Sequence, residues 1–490
     1  MLPDRSAVVI IGVDIGTSLT KAVVFDASGV SIAQASTPSE IRQVPGGRVE
    51  QDLDQVVGTV ATVVREVAGA IDGPVTALAL TGQGDGVWLR DEDGNAVRPA
   101  ISWLDGRANA LLEKWQAAGV TREVFRRTGS GMFPGCAATI LSYLDECEPG
   151  VLDRAAVAGY CVDAVVQRLT GEITVDVSDA SLPFLDPATR RYDEQAIAAC
   201  GLSHRRGLLA EPAAPNAVFH LNACGADLLG LPAGLPVTAG PFDLPASAIG
   251  AGVRDPGDGI LTAGTTLACQ VLTDNAAFDA EGEPAGMFLS TPRAGEFLRA
   301  MPAMVGTASI DWACKLVGIE VEQVGGLLAS SPPGANGVRA LPFLSASGER
   351  APFVDAAARA QFSGLSLEHG RGDVVRALCE SIAYAARHCF EAAGLSGRLY
   401  ACGGGMRSAE WTQIFADVLG HSIVIPSDPG VGARGAVLVA AESLGTPFDV
   451  EAWASNSRTV EFVPENVDLY QPGYADYQAS LSAARGLWRL

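Results

Sequence analysis

The 490-residue chain holds ten cysteines without a C-x-x-C pair, and its five histidines, His204, His220, His369, His388 and His421, are scattered without metal-ligand spacing. A zinc site and a disulfide framework are both disfavoured, and cysteines set in apolar stretches read as reduced core thiols. No uninterrupted apolar run is long enough to span a bilayer, and the start MLPDRSAVVI lacks a basic leader followed by a long apolar region. A soluble cytoplasmic protein is the expectation. No G-x-x-x-x-G-K-[ST] occurs, and the triple glycine at 403–405 is not in a G-x-G-x-x-G frame, so neither a P-loop nor a dinucleotide fold is supported there. Basic residues are scarce: 34 against 56 acidic ones, a net charge of −22. That balance disfavours a nucleic-acid backbone or an anionic membrane as partner, while local basic spots can still bind small anions.

Hydrophobic residues make up 48% of the chain and charged ones 18%, the composition of a well-packed globular protein too long for one ordinary core; two domains are expected. The chain is organised around residues 8–26, VVIIGVDIGTSLTKAVVFD, two apolar β-rich runs joined by a polar turn at Asp14-Ile15-Gly16-Thr17-Ser18. Glycine lets a backbone approach a bulky anion, hydroxyls donate to phosphate oxygens, and an acid at a strand end can hold a hydrated metal ion. The same residues suit an ordinary β-turn. Residues 26–29 read as a turn, 30–36 as a third strand, and 52–70 as a helix with a valine face, capped by Asp52 or Asp54.

A strand from Val75 to Leu80 runs into a loop whose glycines 82, 84 and 86 leave Gln83 and Asp85 as its functional side chains. Asp85 could accept hydrogen bonds from sugar hydroxyls or cap the turn. In PAISWLDGRA, Trp103, Asp105 and Arg107 read either as an apolar wall beside a charged pair or as a surface ion pair beside a buried Trp. In 235–253, Asp243 stands among apolar and small residues at a strand-to-helix corner. A lone acid there tends to a raised pKa and suits a general base, and equally suits a helix N-cap.

The pattern then restarts. Residues 259–272, GILTAGTTLACQVL, are again strand, Gly-Thr-Thr turn, strand, after the connection VRDPGDG. Two half-chains opening on the same unit suggest an ancient duplication in which one phosphate is clasped from both sides. Residues 398–420 read as strand, triple glycine, and a helix capped by Ser408, where a glycine bend can let a nucleobase lie against backbone.

In order, DIGTSLTK, EQD (50–52), GQGDG, WLDGR, the Asp243 segment, TAGTT, GERAP and GGGMRSAEWTQIFADVLG resemble the FGGY family of carbohydrate kinases. The resemblance covers nearly the whole chain. It implies an α/β fold of two actin-like (RNase H-like, ASKHA) domains with an interdomain catalytic cleft, divided as 1–253 and 254–490, that binds ATP with Mg2+ and a small sugar or polyol. By the same carry-over Asp243 is the general base and Asp14 holds Mg2+ through water. Gly16, Thr17, Ser18, Lys21, Gly264, Thr265 and Thr266 surround the phosphates, and Gly306, Gly403, Gly404, Gly405 and Ser408 take the nucleoside. Gln83, Asp85, Trp103, Asp105 and Asp243 line the substrate pocket.

The chain departs from the family where Leu244-Pro245 follow Asp243 in place of Gln, where GQGDG replaces the GQMHG common in xylulose kinases, and where Gly84 replaces the Arg of glycerol kinases. Arg434 stands where alanine is usual. GPFDLPASAIGAG looks more like L-xylulose kinases and erythritol-type polyol kinases. The expected acceptor is a pentulose such as xylulose, with an erythritol- or glycerol-type polyol as the alternative; acidic sugars are disfavoured by the two carboxylates. A homodimer is a candidate assembly. An actin/Hsp70-like nucleotide-gated binding protein is the reading from another class, against which Asp243 and the Gln83, Asp85, Trp103 loop stand.

Overall fold

A computed structural model describes residues 9–26, 29–428, 430–446, 453 and 457–488. The expected turn at 26–29 and the expected strand start at Val8 lie partly outside them. The described residues within 1–252, 274–298 and 430–455 form one compact unit, and those within 253–273, 299–429 and 456–490 a second. The first border falls one residue from the expected connection, and two later segments join the first unit.

In the first unit, β1 (Ile10–Ile15), β2 (Leu19–Phe25), β3 (Ser31–Pro38), β4 (Ala77–Gly82), β5 (Phe219–His220) and β6 (Pro236–Ala239) form a sheet in the order β5-β6-β4-β1-β2-β3. β1 is antiparallel to β2 and parallel to β4, which is parallel to β6. Ile11, Val13 and Ile15 of β1 pack with helix Leu53–Gly69, while Ile10 packs with helix Val431–Ser443. A strand covered on both faces reads as a nearly continuous apolar run, as β1 does. All six expected helix valines, 56, 57, 60, 63, 64 and 67, are buried, and Asp52 caps the helix by accepting from the Gln55 N–H at 3.1 Å. Gly12 is required by close approach: a methyl group there would lie 2.4 Å from the Ala433 carbonyl oxygen.

In the second unit, β7 (Gly259–Ala263), β8 (Leu267–Thr273), β9 (Phe297–Ala303, in this unit from Arg299 on), β10 (Leu399–Cys402), β11 (Ile423–Pro426) and β12 (Ser457–Val460) follow the order β9-β8-β7-β10-β11-β12. β7 is antiparallel to β8 and parallel to β10, which is parallel to β11. The run β3-β2-β1-β4-β6 thus has its counterpart in β9-β8-β7-β10-β11, the duplicated actin-like arrangement. A long helix spans Arg371–Ala393; its buried Arg376 and Glu380 pair at 2.8 Å. All ten cysteines are free thiols, eight of them buried. Among the described residues, no helix is long and apolar enough to cross a membrane.

Candidate active site

The first hairpin ends in a turn closed by the Gly16 N–H to the Leu19 carbonyl at 3.1 Å. Asp14 is half-buried at the end of β1, opposite Lys21 on β2. Burial pushes its carboxyl up to about 6 against the pull of Lys21. A directed chain joins this turn to two expected acceptor residues. The Trp103 indole N–H donates to Thr17 Oγ1 at 2.8 Å, Thr17 Oγ1 donates to Gln83 Oε1 at 2.9 Å, and the Gln83 amide nitrogen lies 3.7 Å from Cys161 Sγ. Asp85, buried in the same loop as Gln83, has a φ of 55°, a left-handed conformation that Asp tolerates better than most residues.

Asp105 has both oxygens engaged. Oδ2 accepts from the Val49 N–H at 2.6 Å and from Arg107 Nη2 at 2.9 Å, and Oδ1 accepts from Arg107 N and Nε at 2.8 Å each. Arg107 continues to Glu50 at 2.8 Å, which also holds Arg98. The EQD and WLDGR motifs are therefore one structural strut, buried where a surface ion pair was the plain alternative, and Asp105 is placed to shape the loop that carries Trp103.

Asp243 is the first residue of helix Asp243–Ala251, whose N-cap is Phe242. Its carboxyl is pushed up to about 8, first by burial, then by the charges of Asp14 and Asp85, against the Leu244 N–H. Three carboxylates thus share one electrostatic neighbourhood in the first unit. Gly84 is covered by the Phe242 ring, 2.6 Å from a methyl placed there.

The second turn is built on backbone. The Gly264 N–H donates to the Thr266 carbonyl at 3.1 Å, and the Thr307 N–H at the start of helix Thr307–Val317 donates to the Gly264 carbonyl at 2.9 Å. A methyl at Gly306 would lie 2.5 Å from the Thr265 carbonyl oxygen, and one at Gly403 2.5 Å from that of Ala263. Gly264, Thr265, Thr266, Gly306 and Gly403 are thereby brought together, with Gly404 and Gly405 in the following short helix. Ser408 caps helix Ala409–Leu419 by accepting from the Trp411 N–H at 3.2 Å.

Residues 9–250 match the N-terminal domain of the FGGY family of carbohydrate kinases, and residues 261–444 its C-terminal domain. The chain belongs to this family. It is an ATP-dependent kinase with an alcohol group as acceptor. An erythritol kinase of Brucella abortus (strain 2308) is 33% identical over 457 residues, covering 89% of this chain and 88% of the relative. A xylulose kinase of Klebsiella pneumoniae is 30% identical over 453 residues, covering 88% and 89%. In fold, the kinase superposes on a ligand-bound xylulose kinase from Lactobacillus acidophilus with a TM-score of 0.90 at 23% identity, over 97% of this chain and 98% of that one.

Sequence reading assigned no site role to three groups in this kinase. Gly432 lets its helix close on Asp14: a methyl there would lie 2.4 Å from Oδ2. Its segment, Gly430-Val-Gly-Ala-Arg-Gly435, does spell G-x-G-x-x-G, yet Gly435 serves helix contact, with a methyl 1.9 Å from the Ala246 carbonyl oxygen. Arg434 lies in the first unit with its guanidinium over the Trp453 ring, 5.2 Å from the centroid. Glu349 of GERAP accepts from the Met304 N–H at 2.7 Å and the Arg350 N–H at 2.9 Å, bracing the segment before Gly306. The signal for it was GERAP itself; for Gly432 it was small residues spaced for close helix packing.

Proposed function

We propose that this kinase transfers the γ-phosphate of ATP to a terminal hydroxyl of a neutral four- or five-carbon ketose or polyol. The observation that carries the proposal is the gathering in one unit of Asp243, Asp85 and the Trp103–Thr17–Gln83 chain. A carboxyl held near 8 is an unusually strong carboxylate base once ionised. Asp243 takes the hydroxyl proton as the oxygen attacks the γ-phosphorus, and Gln83, Asp85 and Trp103 orient the acceptor, with Asp105 acting through their loop. Ionised acceptors make the stronger hydrogen bonds to hydroxyls. An aldonate would add a further negative charge to the neighbourhood of Asp85 and Asp243.

Gly264, Thr265, Thr266, Gly306, Gly403, Gly404, Gly405 and Ser408 take the nucleotide, and Gly16, Thr17, Ser18 and Lys21 the transferred phosphate. Asp14 fits a magnesium ion: its desolvated carboxylate has Lys21 as the charge favouring ionisation, and magnesium is commonly held by one or two carboxylates, water and substrate phosphates. When bound, the ion neutralises phosphate charge. Residues 1–253 then carry acceptor binding and the base, residues 254–490 the nucleoside, in a cytoplasmic enzyme whose assembly state, with a homodimer as the expectation, light scattering would give.

The names of the Brucella and Klebsiella relatives support a polyol such as erythritol and a pentulose such as xylulose respectively. Initial rates with D-xylulose, L-xylulose, D-ribulose, erythritol, glycerol and gluconate test the acceptor class. A tetritol or pentulose should be preferred; strong preference for gluconate would overturn the reading. Asp243→Ala should abolish transfer while ATP still binds, measured by calorimetry.

A further inference from the structure

The segment Gly240–Phe242, which delivers Asp243 to its place, is held from three sides. The Gly240 N–H donates to the Leu80 carbonyl at 2.9 Å, Thr81 Oγ1 donates to the Pro241 carbonyl at 2.6 Å, and the Phe242 N–H donates to Ser178 Oγ at 3.1 Å. The first two anchors come from β4, a core strand of the sheet. The third comes from elsewhere in the chain, the short helix Val177–Ala180, and it sits one residue before Asp243.

Ser178 is fully buried, and its hydroxyl has one proton to give. That proton goes to Asp176 Oδ1, which also accepts from the Ser178 N–H at 2.8 Å. With its proton committed to the carboxylate, the oxygen presents its lone pairs to Phe242. Asp176 also presses on the loop directly, since a methyl at Gly240 would lie 2.7 Å from Asp176 Cβ. The phenyl ring of Phe242 covers Gly84 in the loop that carries Gln83 and Asp85, so the residue held by Ser178 touches the acceptor loop on one side and bears Asp243 on the other.

We propose that Ser178, with its hydroxyl oriented by Asp176, is a positioning residue that fixes the base Asp243 relative to the Gln83–Asp85 loop. The inference rests on the reading of Asp243 as the base. Neither residue touches the reacting atoms; both act through the Phe242 amide. A sub-ångström displacement of a base lowers turnover more than it lowers affinity, because the acceptor still binds but its proton is out of line.

The test compares Ser178→Ala, Ser178→Thr and Asp243→Ala in the full chain, with MgATP and either D-xylulose or erythritol as acceptor. Ser178→Ala should lower kcat by about 10- to 100-fold with little change in the acceptor KM. Ser178→Thr keeps the hydroxyl and should recover most of kcat. Amide hydrogen exchange at Phe242, which needs no acceptor, should speed up in Ser178→Ala and return towards the original rate in Ser178→Thr. Wild-type kcat and unchanged exchange in Ser178→Ala would overturn the inference, as would a folded Ser178→Thr that rescues neither. If Asp243→Ala itself keeps turnover, the base reading fails; if Asp243→Ala is inactive while Ser178→Ala is unaffected, only the positioning role fails.

Discussion

The two hairpin turns have the same place in their sheets and different chemistry around them. In the first, Ile15 and Thr20 are the last cross-strand pair; in the second, Ala263 and Leu267 are, which makes the first turn one residue longer. Two residues before the turn glycine, the first has Asp14 and the second Thr262, whose hydroxyl lies 3.5 Å from Cys402 Sγ. The first turn is tied by side chains, through Thr17, Trp103 and Gln83, into a neighbourhood of carboxylates. The second is tied by backbone, through Gly264, Thr307 and the glycines against which they close. A hairpin whose first strand pairs in parallel with a later strand offers a turn at the sheet end; what surrounds the turn decides between reaction chemistry and passive anion binding.

Carboxylate loss should separate the turns most. Asp14→Asn should lower kcat by about 10²- to 10³-fold, since the carboxylate proposed to hold the magnesium ion that neutralises phosphate charge is lost. Thr262→Val, at the matching position, should leave kcat within a few-fold. Steady-state kinetics on the two variants checks this, and equal losses would mean that the turns share one role. Next in size is Gly306→Ala, whose methyl meets backbone at 2.5 Å and must displace the Thr265 turn. It should raise the KM for ATP about tenfold, equivalent to about 1.4 kcal/mol, with the acceptor KM unchanged.

The carboxylate neighbourhood also sets a pH dependence. In its proposed role Asp243 works as a base only when ionised, so kcat/KM should rise with pH to an inflection near 8 in the free enzyme. Asp85→Asn removes one of the charges raising Asp243 and should move the inflection down, whatever it does to acceptor affinity. Stability has the opposite sign. Asp243 at about 8 and Glu349 at about 7 lie above their ordinary values of 3.8 and 4.5, so the native state binds their protons more tightly than the unfolded chain. Their contribution is present in full below those ordinary values and is lost as pH rises through 7 and 8. Thermal melts across this range should show a falling midpoint for the wild type and a flatter one for Glu349→Gln.

The hairpins, the valine helix, the strand–triple glycine–helix unit and the repeat were legible in sequence because each is local: nearly continuous apolar runs about a polar turn, a 3.6-residue valine stripe and caps within a few positions of what they cap. Asp243 at a strand-to-helix corner was legible for the same reason, although Phe242 and not Asp243 proved to be the N-cap. What sequence left unread depends on contacts between distant segments. The partner of Asp105 is one such contact, since nothing local reveals Val49 approaching it from 56 positions away. Ser178 lies in a four-residue helix without periodicity, and its partner is 64 positions on. Gly432 reads as one small residue of a closely packed helix, and only the fold brings Asp14 against it, 2.4 Å from a methyl placed there.

The finest comparison is between the two turn glycines themselves. A methyl at Gly16 would lie 2.8 Å from the Leu19 carbonyl oxygen, the acceptor that closes its own turn, so Gly16→Ala must open that turn or strain it. At Gly264 the nearest atom is the Thr266 carbonyl oxygen at 3.5 Å, an ordinary contact. Neither glycine has the positive φ that would itself exclude alanine. Gly16→Ala should therefore cost about 1–3 kcal/mol of stability, the range for a methyl forced into a filled space. Gly264→Ala should be neutral or stabilise by up to about 1 kcal/mol, because alanine restricts the unfolded chain. Urea melts on both variants measure the difference, and equal costs would show that the second turn is as tightly constrained as the first despite its open surroundings.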